Sequence, residues 1–278
     1  MAKTSLKIVT ALGQQQETHD KGPLLLAGVQ GIEGISMPYS YDATLFQSLH
    51  SPDIDPSKLI NTPAVFGMRG NGDDYTYRCG IIQTFEKDST NEQNWDDGWQ
   101  TEFRAFKAHL VPAFKMLDYE MRYRVFEEMT VLDIMEEAMG GFSKLLNFST
   151  YVKADLLRDE KFAKIPYCVQ FGESTLSFLS RLMSQFDIWY IFEHPQTFTA
   201  AARETMVLGA STAKVRPCSA PDMDVVYTAP ERTEIAGFQR VFVPARKRIW
   251  ISDFNLLDPV SIPCGSSNVA GTYDMFPR

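Results

Sequence analysis

Residues 170–193, QFGESTLSFLSRLMSQFDIWYIFE, change period with almost no loop. Ser174 is a reasonable N-cap, and Leu176, Leu179, Leu182, Met183 and Phe186 then recur at helical spacing on one face. Asp187 falls where a left-handed residue closes a helix, a position glycine prefers and aspartate tolerates. IWYIFE follows as an aromatic, β-branched strand. So wide an apolar stripe needs a sheet to cover it. The aromatics Phe178, Phe186, Trp189, Tyr190 and Phe192 would bury large areas and fix the helix angle.

Most of the remaining chain has strand period. In MPYSYDATLF, Tyr39, Tyr41, Ala43 and Leu45 share one face while Ser40, Asp42 and Thr44 share the other, the pattern of a half-buried antiparallel strand. AVFGMRGNGDDYTYRCGIIQTF reads as two such runs joined at Gly70–Asp74, where glycine and asparagine accept a hairpin's positive φ. WQTEFRAFKAHL is another strand. The glycines of GVQGIEG mark bulges or turns between strands, since no GK[ST] follows and no βαβ pattern surrounds them. TVLDIMEEAMGG is a second helix: Thr130 and Asp133 form a capping box, Leu132, Met135, Ala138 and Met139 share a face, and Gly140-Gly141 stop it. LLNFSTYV and IPYCVQF read as short strands. After residue 200, RVFVPA, RIWISDF and DPVSIPCGSS return to β, and 209–236 is loop-rich. The fold class is therefore α+β and mainly β. Its expected parts are a β domain over 1–108, an α/β domain over 109–200 and a second β-rich segment over 201–278.

Chemistry is scarce in this pattern. The 278 residues carry a net charge of −8, which disfavours a phosphate backbone as partner. The basic run Arg246-Lys247-Arg248 reads as a solvated strand or turn edge. Cys79, Cys168, Cys218 and Cys264 form no CxxC pair and read as buried thiols in a reducing compartment. His19, His50, His109 and His194 lack HxxxH or HExxH spacing, and no GxSxG elbow is present. Asp53 and Asp55 lack the spacing of a calcium loop and read as a turn with helix-start chemistry before Pro56. The expectation is no catalytic residue, no metal and no cofactor. The amino terminus has no apolar leader-like run, and no stretch nears the roughly 18 apolar residues of a membrane span.

Five stretches, in order, resemble one family. VQGIEGISMPYSYDATLFQS is similar to the amino-terminal signature of VgrG proteins, with Val29, Gly31, Glu33, Gly34, Ser36, Pro38 and Tyr39 at the matching places. YRCGIIQTFEKD resembles its R-x-x-G strand and RVFEEMTVLDIMEEAM its helix start. YCVQFGESTLSFLSRLMSQFDIWYIFEH resembles its most specific block, through Gln170, Glu173, Ser174, Phe178, Arg181 and Leu182. RIWISDFNLLDP resembles a segment near the hub's end. Asp187 stands where the family has glycine. VgrG proteins are spikes of the type VI secretion system, related to the baseplate hub of contractile phage tails. The resemblance implies tail-tube-like β-barrel domains with an inserted α/β segment. It also implies a structural, non-catalytic role as a homotrimer, with a hexameric Hcp-like tube protein, baseplate proteins and effectors or adaptors as partners. Assembly in the bacterial cytoplasm and export by the machine itself, without a membrane anchor, go with it. The chain stops at GTYDMFPR, about where an OB-fold neck would begin, so a hub without neck or β-helical needle is expected. A phage tail hub is the alternative, and a hub with a hidden hydrolase site a more distant one.

Overall fold

The computed structural model describes residues 6–15, 22–69, 75–88, 103–140, 147–150, 163–209, 248–252 and 264–268. They fall in two units, one holding the described residues up to 209 and one holding 248–252 and 264–268. The architecture is mainly β with few helices.

The first unit is built on a seven-stranded antiparallel sheet. Its strands are β1 (Leu6–Thr10), β2 (Gly13–Gln14), β3 (Leu25–Gly34), β4 (Met37–Ser48), β5 (Pro63–Arg69), β6 (Tyr75–Asp88) and β7 (Phe103–Val111). Their order is β2-β1-β5-β6-β7-β4-β3. The alternation of β4 is realised: Tyr39, Tyr41, Ala43 and Leu45 are buried with Ile8, Phe66, Ile82, Phe106 and Leu110. β5 and β6 pair out to Arg69 opposite Tyr75, as a hairpin requires, and the turn expected at Gly70–Asp74 lies outside the described residues. β3 carries register shifts between Leu26 and Gly28 and between Ile32 and Gly34, so the glycine-spaced run does mark bulges. The edges of the sheet are β2 and β3. Gln15 is buried between them: its backbone N–H donates to Ile8 O (2.9 Å), and its Oε1 accepts the Leu26 N–H (3.0 Å). Lys7 is also buried, its ammonium 3.8 Å from the centre of the Tyr75 ring and 4.6 Å from that of Phe198.

A second core lies in the same unit. A 3-10 segment, Ala113–Tyr119, leads into β8 (Met121–Met129), which pairs antiparallel with β10 (Ile165–Ser174) as a two-stranded ribbon. α1 (Val131–Gly140) starts at the expected capping box: the Asp133 N–H donates to Thr130 Oγ1 and the Thr130 N–H to Asp133 Oδ2, both at 3.2 Å. α2 (Thr175–Gln185) buries Leu176, Phe178, Leu179, Leu182 and Met183 against the 3-10 segment, the ribbon and α1. β11 (Trp189–Glu193) pairs antiparallel with β12 (Thr205–Gly209), and β12 pairs parallel with β9 (Asn147–Thr150). In the other unit β13 (Arg248–Ser252) pairs with β14 (Cys264–Asn268). RVFVPA, Arg246, Lys247, Cys218, His19 and residues 210–236 of the loop-rich stretch lie outside the described residues.

The reversal from α2 to β11 is made as its sequence requires. Asp187 has φ 55°, in the left-handed region, and the Ile188 N–H returns to Met183 O (2.8 Å). Asp187→Gly is therefore expected to be neutral or to stabilise by at most about 1 kcal/mol. Asp187→Val is expected to be clearly worse, because a β-branched side chain resists positive φ. Thermal melts of the two variants against the parent check this.

Candidate functional site

β3, β4, β6 and the segment between β11 and β12 bring six polar side chains together. The β3–β4 register sets Gly31 opposite Tyr41. The Tyr41 ring lies over Gly31, where a Cβ would sit 2.3 Å from Tyr41 Cδ1 and 2.6 Å from Ser40 O. Glycine thus lets the tyrosine lie across the strand. Its hydroxyl donates to Glu33 Oε1 (2.6 Å), which also accepts Arg78 Nε–H (2.7 Å). Tyr41 Oη is 3.3 Å from His194 Nε2, and the Cys79 backbone N–H donates to His194 Nδ1 (3.2 Å). Because Nδ1 accepts, the imidazole proton belongs on Nε2, facing Tyr41. The hydrogen bonds run from His194 through Tyr41 to a carboxylate that Arg78 also holds. Behind them Tyr39 donates to Cys79 O (2.7 Å), and Glu204 Oε1 accepts the Ala113 N–H (2.7 Å).

This environment decides the charge states. Burial, with Arg78 nearby, depresses His194 to about 4, so it is neutral at pH 7. Burial pushes Glu33 upward, but hydrogen bonds from Tyr41 and Arg78 outweigh it and hold the carboxyl below its usual range. Burial and the adjacent Glu204 push the Cys79 thiol well up. Burial also raises Glu204. Cys79 Sγ lies 3.5 Å from His194 Nδ1 and 3.8 Å from Glu204 Oε2, which superficially matches a thiol with its base. A nucleophilic cysteine needs a lowered pKa and an accessible sulfur. Here the thiol is 1% exposed, its pKa is raised, and the base nitrogen already accepts an amide proton. The cluster is fixed polar packing across strands.

Its sign with pH follows from linkage. A histidine at about 4 when folded binds a proton less readily than the unfolded chain, whose value is the ordinary 6.5. Its contribution is complete above 6.5 and is lost as pH falls from 6.5 through 4. The loss is expected to be about 2 kcal/mol, less than the whole shift implies because the ring is only partly buried. His194→Asn keeps an acceptor for the Cys79 amide and should flatten stability between pH 6.5 and 4, measured by urea unfolding across that range.

A second group of motif residues caps α2. Ser174 Oγ accepts the Ser177 N–H (3.1 Å) and donates to Asp118 Oδ1 (2.9 Å). Arg181 Nη2 donates to Glu173 Oε1 (2.7 Å) and to Val169 O (3.1 Å), tying the helix back to β10. Buried Gln170 donates Nε2–H to Glu173 O (2.9 Å). Phe178 stacks on Phe126 with centroids 5.6 Å apart, and Leu182 is buried beside it. Gly34 and Pro38 flank the β3–β4 turn, whose Ser36 N–H donates to Tyr190 O in β11 (2.8 Å). A cleft of about 230 Å³ lies there between Ile35 and Met37 on one side and Ile191 and Phe192 on the other, with Glu33 and His194 at its flank.

The ten motif residues thus form two groups: Gly31, Glu33, Gly34 and Pro38 at the β3–β4 hairpin, and Gln170, Glu173, Ser174, Phe178, Arg181 and Leu182 at α2. Sequence reasoning missed His194 and Glu204, which have no spacing partner nearby; their partners are 115 and 125 residues away in the chain. Of the other residues weighed there, Asp55 caps a 3-10 turn, Asp53 pairs with Arg104 (2.9 Å) and His109 meets Asp42 (2.6 Å). Among the described residues no group of three or more His, Cys, Asp or Glu is placed to hold a metal, and no helix is long and apolar enough to cross a membrane.

The family model described as phage tail baseplate hub (GPD) matches residues 32–271. The type VI secretion system spike protein VgrG1b of Pseudomonas aeruginosa is 26% identical over 174 residues, 63% of this chain and 21% of that protein. VgrG1a of the same organism is 26% identical over 62% of this chain and 24% of its own length. The chain therefore spans less than a quarter of either relative. Among solved structures, the E. coli c3393 protein, a component of the type VI secretion system, superposes with a TM-score of 0.50 at 16% identity, covering 84% of this chain and 56% of that one.

Proposed function

The chain belongs to the phage tail baseplate hub family, and from that premise we propose that it is the structural hub of a VgrG-like type VI secretion spike. The family match over 32–271 carries the reading, since it takes in almost the whole chain rather than one motif. Three copies form a platform between a hexameric Hcp-like tube and a puncturing needle, and baseplate proteins and effectors or adaptors bind the same assembly. The seven-stranded sheet, its edges bridged by Gln15, is the first tail-tube-like barrel, over 1–108. The α/β part over 109–200 is the insertion, and 201–278 is the second barrel-like segment. No catalytic step is assigned: the cysteine–histidine–carboxylate cluster described is buried with its thiol pKa raised. The machine itself exports the assembly from the cytoplasm.

A contractile phage tail hub is the second reading, favoured by the description of the family itself. Both predict the same ring. A heterologous contact that closes after three copies gives about 95 kDa for chains of 31.5 kDa. With eight net negative charges per chain, a monomer–trimer equilibrium that shifts to trimer at high concentration is expected. Light scattering across a concentration series checks it. A stable dimer or tetramer with no trimer sinks both readings. Pull-down of the purified chain with type VI tube rings or with phage tail tubes separates them.

A further inference from the structure

The large hydrophobic residues exposed among the described residues collect in two places. One is the tip of the β3–β4 hairpin, with Ile32, Ile35 and Met37. The other is the outer face of the β8–β10 ribbon, with Met121, Tyr123, Val125, Tyr167 and Phe171 and with Tyr119 just before it. The ribbon's inner face is ordinary core, holding Phe126, Cys168 and Gln170. Its outer face is not ordinary surface. Phe171 is 77% exposed and Tyr123 is 73% exposed, and the two rings meet edge to face with centroids 5.3 Å apart. Tyr123 also covers Gly172, whose φ of 61° bulges β10 there. The two aromatics are thus held in place before anything binds them.

We propose that this ribbon face is the contact through which one copy of the chain meets the next, and that it seats an aromatic side chain in the cleft beneath the neighbour's β3–β4 hairpin. The proposal rests on the ring reading above and names its surfaces. Three observations favour a second copy as the occupant. The five ribbon side chains expose on the order of 700 Å², above the largest patch of a typical monomer and close to the roughly 800 Å² each partner gives to a stable interface. A ring needs two unlike surfaces on every chain, and the described residues offer an exposed aromatic face and a cleft with an apolar rim. The cleft, about 230 Å³, exceeds the roughly 150 Å³ that accepts a benzene-sized ring.

The test compares three full-length chains by sedimentation over a concentration series: the parent, Tyr123→Glu/Phe171→Glu, and Ile35→Glu. All the altered side chains are exposed, so unchanged melting midpoints should show that each variant folds. Tyr123→Ser/Phe171→Ser serves if the glutamates lower the midpoint. The expected result is a parent that reaches about 95 kDa and both variants held at 31.5 kDa. If either folded variant trimerises like the parent, the ribbon-to-cleft contact is wrong while the ring reading stands. If the parent stays monomeric throughout, the ring reading fails and the contact with it, and the ribbon belongs to another protein.

Discussion

Leu179→Ala is expected to lower the stability of the first unit by about 2–5 kcal/mol, the range for emptying a leucine site that cannot collapse. Leu179 is 0% exposed and sits where α2, α1 and the 3-10 segment meet. Its walls are themselves held on several sides: Phe178 by Phe126, the start of the helix by Ser174 and Asp118, and its flank by Arg181 and Glu173. Such walls relax little into a cavity, which places the expected loss in the upper half of that range. Ser180→Ala, one residue on and exposed, should change stability by less than about 0.5 kcal/mol. Urea midpoints of the two variants, with unchanged slopes, provide the comparison. Equal small effects would mean that the buried face of α2 has been misplaced.

Gly31→Ala is the second large effect, and it acts by crowding rather than by a void. The new methyl would overlap the Tyr41 ring and the Ser40 carbonyl, neither of which is a flexible end. Overpacking of this kind costs about 1–3 kcal/mol. Displacing Tyr41 also loosens its bonds to Glu33 and His194, for a total of about 2–5 kcal/mol. Gly28→Ala in the same strand is the control. No atom lies within 4 Å of its added carbon, so it should be neutral or slightly stabilising. The two substitutions are chemically identical, and chemical denaturation of both isolates the close approach at Gly31. If Gly31→Ala proved as harmless as Gly28→Ala, the packing of Tyr41 across β3 would be wrong.

Local signals were legible in the chain because short-range chemistry sets them. The period of α2, the Ser174 cap, the Thr130–Asp133 box and the left-handed Asp187 each depend on residues within four positions of one another. The same holds for the inward face of β4, which alternation alone assigns. The site was legible only in part. Glu33 and Arg78 could each be singled out as members of similar motifs, but nothing in either stretch says that they touch. His194 and Glu204 carried no signal, since a lone histidine after a strand and a lone glutamate before one acquire partners only when distant strands align. The outer face of the ribbon was hidden for another reason. IPYCVQF reads as a strand, but RVFEEM reads only as the run into a helix and is in fact part of β8. Burial on one face and exposure of aromatics on the other depend on what packs against the pair.

The order β2-β1-β5-β6-β7-β4-β3 also carries a history of assembly. β3 and β4 are neighbours in sequence, as are β5, β6 and β7, so these pieces need only short loops to close. Joining them sets Tyr41 opposite Leu110, and adding β1 sets Leu6 opposite Met68, each across roughly 60 residues of chain whose ordering must be met before contacts reward it. Gln15 needs neither event to bridge β1 and β3, because Leu26 is only 11 residues on and Ile8 is nearer still. That contact thus carries a smaller closure entropy than either of the two long-range pairings. The Leu26 amide, held by the Gln15 side-chain oxygen, ties β3 to the β1–β2 hairpin as one local piece of the sheet.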